Sequence, residues 1–230
     1  MKLRLSAEGF RGIIAEDFTF QRVREFALAI ANYLKAVRQS PTVDRSKRLA
    51  IRNRRWMVVV GYDTRFLSRE YARELADRLV SSGLPVILSD RPLPTPVLSW
   101  TTRRHRAFLG IMVTASHNPF YFNGIKMKSS QGGPVRQGVV RAIERELHRP
   151  SGLIRRRGGD IILKSFITDY QRAVRKLVDY KAIKGAGFRI CIDPLFGTGQ
   201  GCLEGILGDA VRAKTIHSVP DPLFGGRIPE

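Results

Sequence analysis

Trp56-Met57-Val58-Val59-Val60-Gly61 is a continuous apolar run without a single charge. A run of that length that does not alternate with polar residues predicts a strand covered on both faces, the kind found in parallel sheets. Downstream, Tyr71, Leu75 and Leu79 recur at helical spacing within Ser68 to Leu79, with Ser68 as the expected cap. Gly83 stops that helix and Pro85 to Leu88 forms the next strand. Pro92 to Pro96 reads as a turn, Val97 to Arg103 as the start of another helix, and Ala107 to Val113 as a third strand. Upstream, Phe20, Val23, Phe26, Ala27, Ile30 and Leu34 mark an amphipathic helix from Thr19 to about Ala36, capped by Asp17 or Thr19. Strand, helix and strand repeated in this order is the α/β pattern with crossover helices. Ligands are then expected at the carboxyl ends of the strands, where the loops after Val60 and Val113 lie.

A break falls between Glu146 and Asp160, where Arg149-Pro150-Ser151-Gly152 and three successive arginines interrupt the periodicity. Beyond it, Ile161 to Tyr180 reads as a helix and Phe188 to Asp193 as a strand. Pro194 to Gln200 reads as a glycine-rich turn, Gly201 to Leu207 as a helix and Thr215 to Ser218 as a strand. Two strands are thin for an independently stable sheet.

With 230 residues, 43% of them hydrophobic, the chain can bury one large or two modest cores. No apolar run reaches the length of a membrane span, and no leader-like block follows the N-terminus, so a cytoplasmic protein is expected. Cys191 and Cys202 lack metal or redox spacing and read as reduced core or near-core thiols. Forty Lys and Arg against twenty Asp and Glu give a net charge of +20, with denser patches at Arg45 to Arg55 and Arg155 to Arg157. That charge favours nonspecific nucleic-acid binding. No finger, KH or RRM pattern accompanies it, and an arginine-rich protein with an anionic substrate is the preferred explanation, because charge alone identifies an attraction and not a task.

The chemistry concentrates in Thr114-Ala115-Ser116-His117-Asn118-Pro119, at the mouth of the third strand. This is not the GxSxG elbow of a hydrolase. A serine hydroxyl held in a rigid turn can carry a phosphoryl group if cations and amides neutralise its oxygens. His117, Lys126 and Lys128 are the nearby basic candidates, with Asn123-Gly124 read as a tight turn that folds the lysines back. A plain polar turn is the competing reading of the same composition.

The hexapeptide followed by Asn123-Gly124-Ile125-Lys126 resembles the active-serine signature of the α-D-phosphohexomutase family, the phosphoglucomutases and phosphomannomutases. Gly12 to Phe20, Val59 to Arg65, Pro94-Thr95-Pro96 and Asp193 to Gly199 agree with it in order along essentially the whole chain. The resemblance implies a three-layer α/β/α domain with a mixed, mostly parallel sheet over residues 1–150, then an incomplete second α/β domain over 151–230. It implies that Ser116 donates phosphate to a hexose phosphate and takes the other phosphate back, through glucose or mannose 1,6-bisphosphate. His117 would lie beside the reacting groups, Lys126 would assist proton transfer or charge neutralisation, and Arg11 would orient the phosphoserine region. Asn118, Asp63, Arg65 and Lys128 would bind phosphate or support the site, although Asp63 and Arg65 could equally close a strand-to-helix turn.

A phosphoserine would bring roughly two negative charges, which suit Arg11, His117 and Lys126. The family clamps that phosphate with Mg²⁺ held by an Asp-Gly-Asp run, and no Asp-Gly-Asp occurs in this sequence. Ser116, through its phosphate, is the one expected metal contact. Glu8 places a carboxylate near the phosphate site. The family's sugar loop and distal phosphate loop also have no counterpart here. Three expectations follow: a truncated copy inactive alone, half of a split mutase completed by a partner chain, or a phosphosugar- or polyanion-binding module. Self-association is expected if the second sheet is cut short.

Overall fold

The computed structural model describes residues 9–39, 55–147 and 160–229. Glu8, the basic run upstream of Arg55, the Arg155–Arg157 cluster and the expected domain boundary at 150 lie outside these residues.

Six strands form one mixed sheet in the order β1-β5-β4-β2-β3-β6. β2 (Arg55–Tyr62), β3 (Val86–Ser89), β4 (Ala107–Val113) and β6 (Ile161–Lys164) run parallel. β5 (Phe122–Ser129) is antiparallel to β4, and β1 (Phe10–Ile13) is antiparallel to β5. Val58, Val59 and Val60 are fully buried, as an uninterrupted apolar central strand requires.

Helices cover both faces. α1 (Phe20–Gln39), α2 (Ser68–Ser81) and α4 (Gln137–Leu147) pack on one face around Val23, Phe26, Ile30, Leu34, Leu75 and Leu79. α3 (Thr95–Arg104) packs on the other, around Val59, Val97, Leu98 and Met112, joined there by Phe166 and Tyr170 of the chain after β6. Each buried aliphatic or aromatic side chain contributes about 1.5–3 kcal/mol. Thr19 caps α1, its Oγ1 accepting from the Arg22 amide at 3.2 Å. Because β2 leads to β3 on one side and the chain then crosses back to β4 on the other, the strand order reverses around β2. A crevice opens there at the carboxyl ends of the strands.

Several elements differ from expectation. Ser68 is the first residue of α2 and not its cap, its hydroxyl donating instead to Asp63 Oδ1; Leu67, whose side chain has no polar atom to cap with, occupies the cap position at φ 59°. Asn123 and Gly124 lie inside β5, so they make no turn; the reversal occurs over residues 116–121 instead. The expected helix from Ile161 is divided into β6, which extends the sheet at the open edge of β3, and α5 (Ile167–Arg175). Three consecutive apolar residues fit either periodicity, and the unpaired edge of β3 decides in favour of the strand.

Beyond α5 and α6 (Tyr180–Gly185), β7 (Arg189–Ile192) pairs in parallel with β8 (Arg212–Thr215) across α7 (Cys202–Leu207). This two-stranded unit resembles a second, incomplete domain. Cys191 is exposed rather than near-core, since no layer covers its face of β7; Cys202 is half-buried, and both thiols are free. Among the described residues no helix is long and apolar enough to cross a membrane.

Candidate active site

The loop after β4 begins with Thr114 and Ala115, both buried, and delivers Ser116 and His117 to the surface. Ser116 sits at φ 59°, the left-handed region that residues other than glycine seldom occupy. Its amide donates to Thr114 Oγ1 at 3.0 Å, and the Asn118 amide donates to the Ala115 carbonyl at 3.1 Å, closing a tight turn.

Arg65 holds that turn from beneath. Its side chain is fully buried. Nη2 donates to the carbonyls of Ser116 and Asn118, both at 2.7 Å, and Nη1 to those of Pro119 at 2.8 Å and Phe122 at 3.1 Å. The planar fork of a guanidinium suits this multiple capture in a way that an ammonium does not. Asp63 fixes the arginine: its Oδ2 lies 3.2 Å from Arg65 Nε and its Oδ1 accepts from the Arg65 amide at 3.1 Å. Oδ1 also accepts from Ser68 Oγ at 2.6 Å, and Ser68 Oγ in turn accepts from Asn123 Nδ2 at 2.9 Å. Burial pushes the Asp63 carboxyl above the ordinary carboxylate value, partly offset by the hydroxyls of Ser68 and Thr114 and by the charge of Arg65. Burial likewise lowers Arg65, and Asp63 opposes that shift. The pair thus lies bonded beneath the serine turn.

Arg11 reaches the loop from the edge strand. β1 sets it opposite Gly124 of β5, and its Nη1 donates to Asn118 Oδ1 at 2.7 Å. A Cβ on Gly124 would meet the carbonyl oxygens of Phe10 at 2.5 Å and Thr114 at 2.8 Å, so glycine is needed for this approach. Lys126 and Lys128 are half-buried on β5, opposite Met112 and Gly110 of β4, and project from the face opposite Ile125 and Met127.

A cleft of about 370 Å³ opens above the serine loop. One wall comes from Asp63, Thr64, Thr114, Ser116 and His117, with Pro94-Thr95-Pro96 at the N-terminus of α3, whose amide dipoles favour an anion. The opposite wall comes from the second unit, through Asp193, Leu195, Gly197, Thr198 and Phe224. Ser116, His117 and Asp63 thus share the cleft, Arg11, Asn118 and Arg65 meet at the loop, and the two lysines are not among the cleft's lining residues. Sequence reasoning assigned no role to Thr114, Asp193 or Phe224, and read Ser68 as a helix cap and Asn123 as part of a turn rather than as partners of Asp63. Thr114 and Asp193 stood inside quoted motifs, but their spacing along the chain does not reveal which partners they meet.

Residues 2–152 match the family described as phosphoglucomutase/phosphomannomutase, alpha/beta/alpha domain I. The chain belongs to this family. It is 31% identical over 96% of its length to a protein of Methanothermobacter thermautotrophicus named for phosphoglucosamine mutase, covering 45% of that protein. It is 30% identical, over 96% of its length and 46% of the other, to the phosphoglucomutase/phosphomannomutase of Thermococcus kodakarensis. A solved structure named for phosphomannomutase, from Thermus thermophilus, superposes with a TM-score of 0.85 at 35% identity, over all of this chain and 49% of that one. The chain therefore spans about half the length of these relatives.

Proposed function

We propose that the chain supplies the phosphoserine half of a phosphohexomutase site, with Ser116 carrying the phosphoryl group. The observation that supports this most is an exposed serine at the strand-order reversal, facing a cleft and seated on a turn whose carbonyls are held by one buried arginine. In the first half-reaction the Ser116 Oγ–P bond breaks as an O–P bond forms at a free hydroxyl of glucose or mannose phosphate, and in the second the other sugar O–P bond breaks as Ser116 Oγ–P forms again. The hydroxyl's proton leaves to a nearby base, and the serine oxygen is reprotonated. The bisphosphorylated sugar then returns its other phosphoryl group to Ser116, so the sum is an isomerisation. His117, beside Ser116 at the cleft, and Lys126 on β5 are the candidates for proton handling. Arg11 holds Asn118, and through it the shape of the turn.

The described residues do not make a Mg²⁺ site. Among the described residues no group of three or more His, Cys, Asp or Glu is placed to hold a metal. The two cleft carboxylates are already engaged, Asp63 by Arg65 and Ser68, and Asp193 by His217 Nδ1 at 2.9 Å and the Leu195 amide at 2.9 Å. The family's carboxylates would have to come from beyond these residues, as in a mutase completed by further polypeptide.

The test is turnover by the purified 230-residue chain with glucose 1-phosphate, Mg²⁺ and a bisphosphate primer. No catalytic formation of glucose 6-phosphate, beyond about one equivalent per chain released from the primer, is expected from the chain alone. Turnover that disappears in Ser116→Ala would overturn the half-site reading.

A further inference from the structure

Phe224 is an anomaly of burial. It lies in the last described turn of the second unit, flanked by exposed Leu223, yet only 5% of it is accessible. It belongs to neither of the two apolar cores. Its ring instead covers the Arg65 guanidinium, with Cζ 5.0 Å from the ring centroid, and it lines the cleft that holds Ser116.

The turn is built to present that ring. Phe224 takes a left-handed backbone at φ 53°, followed by Gly225 at φ 62°. Asp221 stabilises this shape with both carboxylate oxygens, Oδ1 accepting from the Leu223 amide at 2.9 Å and Oδ2 from the Gly225 amide at 2.8 Å. Its own carbonyl accepts from the Phe224 amide at 3.0 Å, and its amide donates to the Phe196 carbonyl at 3.3 Å. The turn is thereby tied to the loop that forms the second wall of the cleft.

We infer that Phe224 is a positioning residue that acts through Arg65 on the Ser116 turn. A ring over the guanidinium excludes water that would otherwise compete with the four loop carbonyls, and its negative face favours the cation. The second unit is then more than a wall of the cleft: docking of its terminal turn sets the order of the serine loop across more than a hundred residues of chain. Displacement of this turn would loosen the loop. The catalytic weight of this contact rests on reading Ser116 as the phosphoryl carrier; the contact itself does not.

Hydrogen exchange separates the two. In Phe224→Leu, which keeps apolar cover but loses the ring, the Asn118 and Phe122 amides should exchange about tenfold faster than in the wild type. Phe224→Tyr should restore slow exchange. The Ile216 amide, bonded to the Ile192 carbonyl at 2.9 Å, reports whether the second unit remains folded. Unchanged loop exchange in Phe224→Leu with Ile216 still protected would overturn the inference. If Ile216 also loses protection, the wild-type Arg65 side-chain N–H resonances decide. Upfield ring-current shifts with slow exchange support the contact, and unshifted, fast-exchanging signals refute it. Failure of Ser116 to accept phosphate, with these signatures intact, would sink the functional reading and leave the positioning contact standing.

Discussion

Arg65 directs four donated hydrogen bonds at one turn, which makes it the residue whose loss is least replaceable. Lysine keeps the charge but cannot span those carbonyls, and it would leave Asp63 with a poorer partner. Arg65→Lys should therefore destabilise the protein by about 3 kcal/mol, read as a lower urea midpoint at unchanged slope. Ser116 bears a different cost, since a left-handed conformation penalises any side chain while glycine adopts it freely. Ser116→Gly should raise stability by about 0.5 kcal/mol, the relief of strain outweighing the greater freedom of the unfolded chain. At this scale the sequence was informative about identity and silent about partners: Asp63 and Arg65 stood out by motif, but support and direct contact were equally open. The partners themselves come from the fold of residues 116–122 around the guanidinium, a contact more than fifty positions away along the chain.

At the scale of elements, β5 joins the edge strand to the central sheet and carries a close backbone approach at Gly124. Gly124→Ala would drive a methyl into two carbonyl oxygens, and a loss of about 2–3 kcal/mol is expected in thermal or urea unfolding. Elements with long apolar runs or clear helical stripes, such as β2, β4 and α2, were legible because their periodicity is unambiguous. β1, β5 and β6 were not. β5 alternates polar and apolar residues across Asn123-Gly124, which by composition resembles a turn, and β6 is too short for its period to be read. A further pH-sensitive clasp lies between α6 and the turn before β8, where Asp209 bonds Lys184 Nζ at 2.6 Å and the Tyr180 hydroxyl. Lys184, then Tyr180, hold the Asp209 carboxyl down to about 2 from 3.8. A depressed carboxylate stabilises the fold above its unfolded value and loses that contribution as pH falls through the folded one. The gap in urea midpoint between wild type and Asp209→Asn should be present at pH 5 and close as pH approaches 2; a gap independent of pH would contradict this.

Over the whole molecule, the two units differ in how completely they are covered. The six-stranded sheet has a helical layer on each face, whereas β7 and β8 leave Phe188 at 56%, Val219 at 71% and Leu177 at 84% exposed. Open strand edges and bare apolar side chains favour association. Concentration-dependent oligomers are expected by sedimentation, together with weaker exchange protection in β7 and β8 than in β2 and β4. A monodisperse monomer with uniform protection would argue against an incomplete unit. The thinness of this second sheet was legible from two short strand signals; its closing over the serine loop was not, because that depends on Phe224 meeting Arg65 of the first unit. The central claim is that Ser116 carries phosphate. It is tested most directly by incubating the chain with glucose 1,6-bisphosphate and Mg²⁺ and mapping phosphate by tandem mass spectrometry. The account predicts phosphate on Ser116, absent from Ser116→Ala and diminished in Arg65→Lys. Phosphate at other residues alone, or equal incorporation into Ser116→Ala, would contradict it.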